Sequence, residues 1–225
     1  MASKVVKTVE ETRAEKVEAK VSGVEKFYES NKKKIWTGVA AVLVVILAVL
    51  AYVKFVYQPK VAEAQAAAYP AEIAFQSGDY ELALKGDGNN LGFEDVIAQY
   101  GAKGGKAVYM YAGVCCLETG AFEEALEYLG KYSGKEPVLA ARATACKGDA
   151  LVGLEEYAKA ASTFEKAAAS ADNVFAAGYL FKAGLCYEKL GEPAKALALY
   201  KKIADKYPQS LEAYDIDKYI ARVSE

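Results

Sequence analysis

Tyr109-Met-Tyr-Ala-Gly-Val-Cys-Cys-Leu-Glu-Thr-Gly-Ala-Phe-Glu-Glu-Ala-Leu-Glu-Tyr-Leu129 is a pattern that the chain repeats. Ala112-Gly113, Gly120, Ala125 and Leu129 correspond to Ala183-Gly184, Gly191, Ala196 and Tyr200 further on. Between them, Gly148, Leu151, Tyr157, Ala160 and Phe164 occupy the same relative places. Gly113, Gly148 and Gly184 are 35 and 36 residues apart, a spacing that suits one pair of antiparallel helices per repeat. In such a pair the glycine lets the first helix approach the second, and Ala125, Ala160 and Ala196 supply the matching small face. Leu129, Phe164 and Tyr200 are expected to fill the gap to the next pair. Pro137 and Pro208 are expected to end second helices, since proline lacks the backbone donor and biases the preceding residue away from helix.

The period is close to the roughly 34 residues of tetratricopeptide (TPR) helix pairs. The fold class expected is therefore all-α: one N-terminal transmembrane helix, then a TPR solenoid closed by a capping helix. The boundaries read as a tail at 1–34, an anchor at 35–57 and a TPR domain at 58–225. Within that domain fall a degenerate repeat at 61–105, repeats at 106–139, 141–174 and 177–209, and a cap at 210–225. The degenerate unit keeps Gly78-Asp79-Tyr80 and Ala83, then breaks at the glycine- and asparagine-rich Lys85–Gly92. In the cap, Leu211, Tyr214, Ile216, Tyr219, Ile220 and Val223 are expected on one apolar side.

Ahead of the repeats, Ile35 to Val53 runs for nineteen residues without a charge, about 28 Å as a helix and close to the thickness of a bilayer's hydrocarbon core. Trp36 stands at one end and Tyr52, Phe55 and Tyr57 at the other, where amphipathic rings prefer to lie, and Lys54 can snorkel outward. Lys32, Lys33 and Lys34 precede the span. Lys20, Lys26, Lys32, Lys33 and Lys34 lie within about fifteen residues before the span and only Lys54 and Lys60 within the same distance after it, which puts the N-terminus in the cytoplasm. Residues 1–34 as a whole hold nine basic and six acidic residues, against 19 and 24 in the remainder. The localisation expected is a bacterial inner membrane, single-pass, with the C-terminal domain in the periplasm. Ala62-Glu63-Ala64 offers a small-x-small cleavage site, but the long charged segment and the length of the apolar run favour a retained anchor. Val17, Val21, Val24 and Tyr28 fall on one stripe and suggest an amphipathic helix, a disordered polar tail being the alternative.

The chain has no histidine, which excludes Ser-His-Asp and Cys-His nucleophile systems, imidazole bases and histidine metal ligands. A net charge of −2 argues against nucleic acid as a partner. Gly101–Lys106 lacks the glycine spacing and the Ser or Thr of a phosphate loop, and Asp87, Asn89 and Asn90 lack the spacing and terminal glutamate of a calcium loop. Cys115, Cys116, Cys146 and Cys186 all fall in first helices, where small apolar residues are expected; a bridge between Cys146 and Cys115 or Cys186 stays open. Glu123-Glu124 and Glu155-Glu156 read as helix-start carboxylates. No catalytic residue, metal or cofactor is expected, and the chain is read as non-enzymatic.

In a TPR array the first helices line the concave face. The lining expected is Met110, Val114 and Leu117 from one repeat, Arg142, Asp149 and Val152 from the next, and Phe181, Lys182, Leu185 and Glu188 from the third. This apolar floor with a few charges suits an extended segment or a partner helix, unless the C-terminal helix fills part of it. A Lys/Asn carboxylate clamp is not visible at these positions.

The basic segment Val24-Glu-Lys-Phe-Tyr-Glu-Ser-Asn-Lys-Lys-Lys34, one span, Tyr52 to Tyr57 and a compact TPR domain together resemble the YfgM-like ancillary subunits of the Sec translocon. Leu91-Gly-Phe-Glu-Asp-Val-Ile-Ala-Gln-Tyr100 and Asp217-Lys-Tyr-Ile-Ala-Arg222 are similar to the Bacteroidota version. The resemblance implies association with the SecYEG channel and with a membrane-anchored periplasmic chaperone of the prolyl-isomerase type, assisting unfolded secretory clients as they emerge. A TPR scaffold for another envelope assembly, such as cell division or outer-membrane biogenesis, would share the fold and differ in its partners.

Overall fold

The computed structural model describes residues 2–170 and 173–224, with side chains from Glu25 onward, and the chain divides into two compact units, residues 1–59 and 60–225. The stripe residues Val17, Val21 and Val24 lie outside the described side chains.

The first unit contains α1 (Ala2–Tyr52) and a single π-helical turn, Val53–Tyr57. Leucine, alanine and valine at nearly every position from Val39 to Leu50 make this part of α1 apolar all round, and those side chains lie exposed, Val44 at 64%. Such a helix is either a buried core helix or a membrane span, and this one is unburied as well as long and apolar enough to cross a membrane. Lys32, Lys33, Lys34 and Trp36 are exposed before the stretch, and Tyr52, Lys54, Phe55 and Tyr57 after it. The Lys54 ammonium lies 5.9 Å from the centre of the Phe55 ring.

In the second unit, three helix pairs follow one another: α5 (Ala107–Glu118) with α6 (Phe122–Lys131), α7 (Pro137–Gly153) with α8 (Tyr157–Ser170), and α9 (Phe175–Lys189) with α10 (Pro193–Lys206). Each pair turns in the same way. The N–H groups of Gly120, Glu155 and Gly191 donate to the carbonyls of Leu117, Val152 and Glu188, and those of Ala121, Glu156 and Glu192 to Cys116, Leu151 and Tyr187. These bonds satisfy carbonyls that the end of the first helix would otherwise leave unpaired. Glu123 and Glu124 sit in the first turn of α6, whereas Glu155 and Glu156 precede α8 and form the turn itself.

Within each pair the repeat glycine faces a large side chain. A methyl group at Gly113 would lie 2.5 Å from Leu129 Cγ, one at Gly148 2.6 Å from Phe164 Cε1, and one at Gly184 would meet the Tyr200 ring. Leu129, Phe164 and Tyr200 thus fill the space opposite their own glycine, rather than only the gap to the next pair. Pro137 also differs from expectation, because it opens α7 instead of closing α6. The first turn of a helix is where a missing N–H costs least, and the Glu136 carboxylate caps the same turn by accepting the Leu139 N–H at 2.8 Å. Pro208 does follow a second helix, two residues beyond the end of α10.

The array begins with α2 (Gln58–Gln76), α3 (Tyr80–Lys85) and α4 (Phe93–Tyr100). The inter-helix turn recurs, Gly78 N–H to Phe75 and Asp79 N–H to Ala74. Counted from that turn, however, Ala71 stands where the other pairs have glycine, and Asp87 where they have Leu129, Phe164 and Tyr200. Without the large residue, α3 stops at Lys85. Gly86 and Gly92 meet so closely that a Cβ on either would strike backbone, and the Asp87 carboxylate accepts the N–H groups of Asn89 and Asn90. The chain then resumes as α4, which buries Phe93 and Val96 completely. A 3₁₀ turn, Gly101–Gly104, leads to α5.

Two hydrophobic cores result. One joins α2 to α6 with Ala143 and Ala150 of α7; the other joins Ala145 of α7 to α8, α9, α10 and the C-terminal α11 (Ile216–Ser224). The cap is not one helix, since a 3₁₀ turn, Glu212–Asp215, precedes α11. That tighter turn rotates the residues before Ile216 off its apolar side, and Leu211 and Tyr214 are 88% and 89% exposed.

Candidate functional site

The first helices α5, α7 and α9 carry two clefts that meet at one ion pair. The smaller, about 380 Å³, lies among Val114 and Leu117 of α5, Leu139, Arg142 and Cys146 of α7, and Phe175 and Tyr179 of α9. The larger, about 680 Å³, lies among Val152 of α7, Tyr157 and Phe164 of α8, Leu185, Cys186 and Glu188 of α9, and Arg222 of α11. Asp149 and Lys182 line both clefts. The Lys182 ammonium donates to Asp149 Oδ1 at 2.6 Å and stands 5.6 Å from the centre of the Phe164 ring.

Register explains which side chains reach the clefts. Val114, Asp149 and Leu185 each follow a repeat glycine by one residue, and Leu117, Val152 and Glu188 by four. Helical geometry places these two positions on one face, and all six line a cleft. Met110 and Phe181 precede a repeat glycine by three and turn elsewhere. Met110 is buried in the first core at 7% exposure and does not line the groove. Phe181 is covered by α11, its ring 4.7 Å from that of Tyr219 at 89°. The C-terminal helix therefore does occupy part of the concave face.

A cluster of polar contacts holds α11 there. Glu188 Oε1 accepts the Tyr200 hydroxyl at 2.5 Å and the Arg222 guanidinium at 2.7 Å. Arg222 lies 4.6 Å from the centre of the Tyr219 ring. Burial, with Glu188 second, pushes the Tyr200 phenol up, and the same glutamate raises Arg222. From the same α9, the Tyr187 hydroxyl donates to Glu165 of α8 at 2.6 Å, and that hydrogen bond pushes the phenol up to about 12.

Four cysteines line or underlie these helices as free thiols. Burial pushes Cys115 and Cys116 up to about 12 and raises Cys146 and Cys186 as well, which holds all four protonated at neutral pH and unreactive as nucleophiles. What the clefts offer chemically is an apolar floor with fixed charges at its rim. Sequence reasoning missed Tyr157, Phe175, Tyr179 and Arg222. Phe175 was within reach, since it precedes Gly184 by the nine residues that separate Leu139 from Gly148. Arg222 was not, because only the docking of α11 brings it to the cleft.

Residues 147–210 match the tetratricopeptide repeat family. Two solved structures of MamA resemble the chain. One has a TM-score of 0.53 at 21% identity, over 68% of this chain and 92% of that one. The other has 0.54 at 21%, over 72% and 87%. At that identity the likeness concerns the fold alone, and it agrees with an all-α solenoid of TPR type. Among curated proteins, none matches.

Proposed function

We propose that this chain is a non-enzymatic, single-span membrane adaptor whose TPR domain holds a protein partner in the larger cleft. The observation that carries the reading is the 680 Å³ cleft with the half-buried Val152 and Leu185 at its apolar floor, in a chain whose other unit is an exposed helix able to span a bilayer. Such a floor, rimmed by Asp149–Lys182 and Glu188–Arg222, fits apolar side chains of an extended segment or of one helix face. The finer reading, supported by the family resemblance, is an ancillary subunit of the SecYEG translocon. Its N-terminus would be cytoplasmic and its TPR domain periplasmic, linking the channel to a membrane-anchored prolyl-isomerase-type chaperone and to emerging clients.

The test is affinity purification of the full-length protein in mild detergent, followed by mass spectrometry of what stays bound. Channel subunits together with a periplasmic chaperone are expected. Val152→Asp with Leu185→Asp should lose the chaperone while keeping the channel, and replacing Ile35–Val53 with an unrelated span should release the channel. Recovery of division or outer-membrane assembly factors without channel subunits would refute the translocon reading. Unchanged partners in the cleft variant would refute the cleft.

A further inference from the structure

At the start of the apolar stretch, the Trp36 indole N–H donates to the Tyr28 hydroxyl oxygen at 3.0 Å. The two residues are eight apart, and Lys32 lies midway, four residues from each and so on the same helix face. The hydrogen bond uses the phenol as acceptor, which leaves the phenol O–H to donate elsewhere. Lys32, Lys33 and Lys34 are all exposed, and among the described residues no carboxylate lies within ion-pair distance of them, although Glu29 is only one turn away. Three uncompensated ammonium groups and one free phenolic donor therefore gather within two turns of helix, next to the first residues of the uncharged run. If that run spans the bilayer, their depth is that of the headgroups.

We propose that Tyr28, Lys32 and Trp36, supported by Lys33 and Lys34, form a binding site for the phosphate headgroup of an anionic phospholipid. The Lys32 ammonium and the Tyr28 O–H converge on the phosphate oxygens, and the indole, tied to Tyr28, packs beside the glycerol region. Lys33 and Lys34 favour a net negative lipid over a zwitterionic one, because the latter's own cation would face three positive charges. This inference rests on the membrane-span reading.

Trp36 is the sole tryptophan, so its fluorescence reports this site alone. The full-length protein would be reconstituted into vesicles of phosphatidylcholine with increasing phosphatidylglycerol, and Trp36 emission read by excitation where tyrosine does not absorb. The expected result is blue-shifted emission in every vesicle and a further, saturable change as phosphatidylglycerol rises. Lys32→Ala with Lys33→Ala and Lys34→Ala should abolish the saturable change, each lysine contributing about five-fold in apparent affinity. Tyr28→Phe should weaken it several-fold by removing both the acceptor for the indole and the outward donor. Emission independent of lipid composition, or a saturable change that survives in the lysine variant, would overturn the site while leaving the span intact. Emission typical of water in all vesicles would overturn the span reading itself. Soluble glycerol phosphate producing the same saturation would show the ligand to be a free anion and overturn the lipid assignment.

Discussion

Glu155 has a φ of +60°, the only non-glycine residue at positive φ among the described residues, and it occupies the turn position held by Gly78, Gly120 and Gly191 in the other helix pairs. An L-residue there brings its Cβ close to the following carbonyl, at a cost of about 1–2 kcal/mol that glycine avoids. Glycine's greater freedom in the unfolded chain offsets part of the gain. Glu155→Gly should therefore stabilise the protein by about 0.5–1 kcal/mol, read as a higher denaturant midpoint in chemical unfolding; an unchanged or lower midpoint would show that the turn does not strain the glutamate. The opposite outcome is expected at Gly148, where an added methyl would sit 2.6 Å from the Phe164 ring. Gly148→Ala should cost about 1–3 kcal/mol by overpacking. Phe164→Leu on the same chain should recover part of that loss, giving a coupling energy in a double-mutant cycle. Simple additivity would mean that the two residues do not meet.

At the scale of elements, α5 shows how burial ties stability to pH. Cys115 and Cys116 are fully buried in it, with thiols pushed up by burial from an ordinary 9.0 to about 12. A raised folded-state value means that the unfolded chain loses the proton first, so the thiols' contribution is intact below pH 9 and is lost as pH climbs toward 12. Tyr128 and Tyr187 begin the same loss only above their ordinary 10.0. Replacing all four cysteines with alanine should move the onset of alkaline destabilisation from about pH 9 to about pH 10, whatever it does to stability at neutral pH; an onset that stays put would mean that the thiols are not the sensitive groups. The paired architecture of these elements was legible in the sequence because the glycine and its opposing large residue recur at fixed spacing, and only a close helix crossing needs both. Pro137 was misread because proline is equally compatible with the end of one helix and the first turn of the next, and the deciding contact is the Glu136 cap. Met110 and Phe181 were misplaced for another reason: periodicity assigns a face, but which neighbour covers that face is a tertiary fact. For Phe181 the neighbour is Tyr219, thirty-eight residues away, on a helix whose docking depends on Glu188 and Arg222.

Among the described residues of the second unit, the two cores meet only at α7, which sends Ala143 and Ala150 into one and Ala145 into the other. In a repeat array each pair touches only its neighbours, so stability is close to a sum of local terms. The larger cleft belongs to the second core: Phe164 is buried in that core and also lines the cleft, and Cys186 does the same from α9. On the proposed reading, partner binding and stability are therefore coupled in the C-terminal half and much less in the N-terminal half. Phe164→Ala should cost about 3–5 kcal/mol through lost burial and the cavity left opposite Gly148. Native-state hydrogen exchange locates that cost. Amides of α8, α9, α10 and α11 should lose protection, while those of α5 and α6, built on Leu129 and the first core, should keep nearly all of theirs. An equal loss in both halves would show that α7 transmits unfolding and that the unit is a single cooperative block. The same measurement with the captured partner should protect α8 to α11 preferentially, because the larger cleft is built on the second core and binding there stabilises it. Protection centred on α5 and the N-terminal half of α7 would instead place the partner in the smaller cleft, against Val114, Leu117 and Arg142.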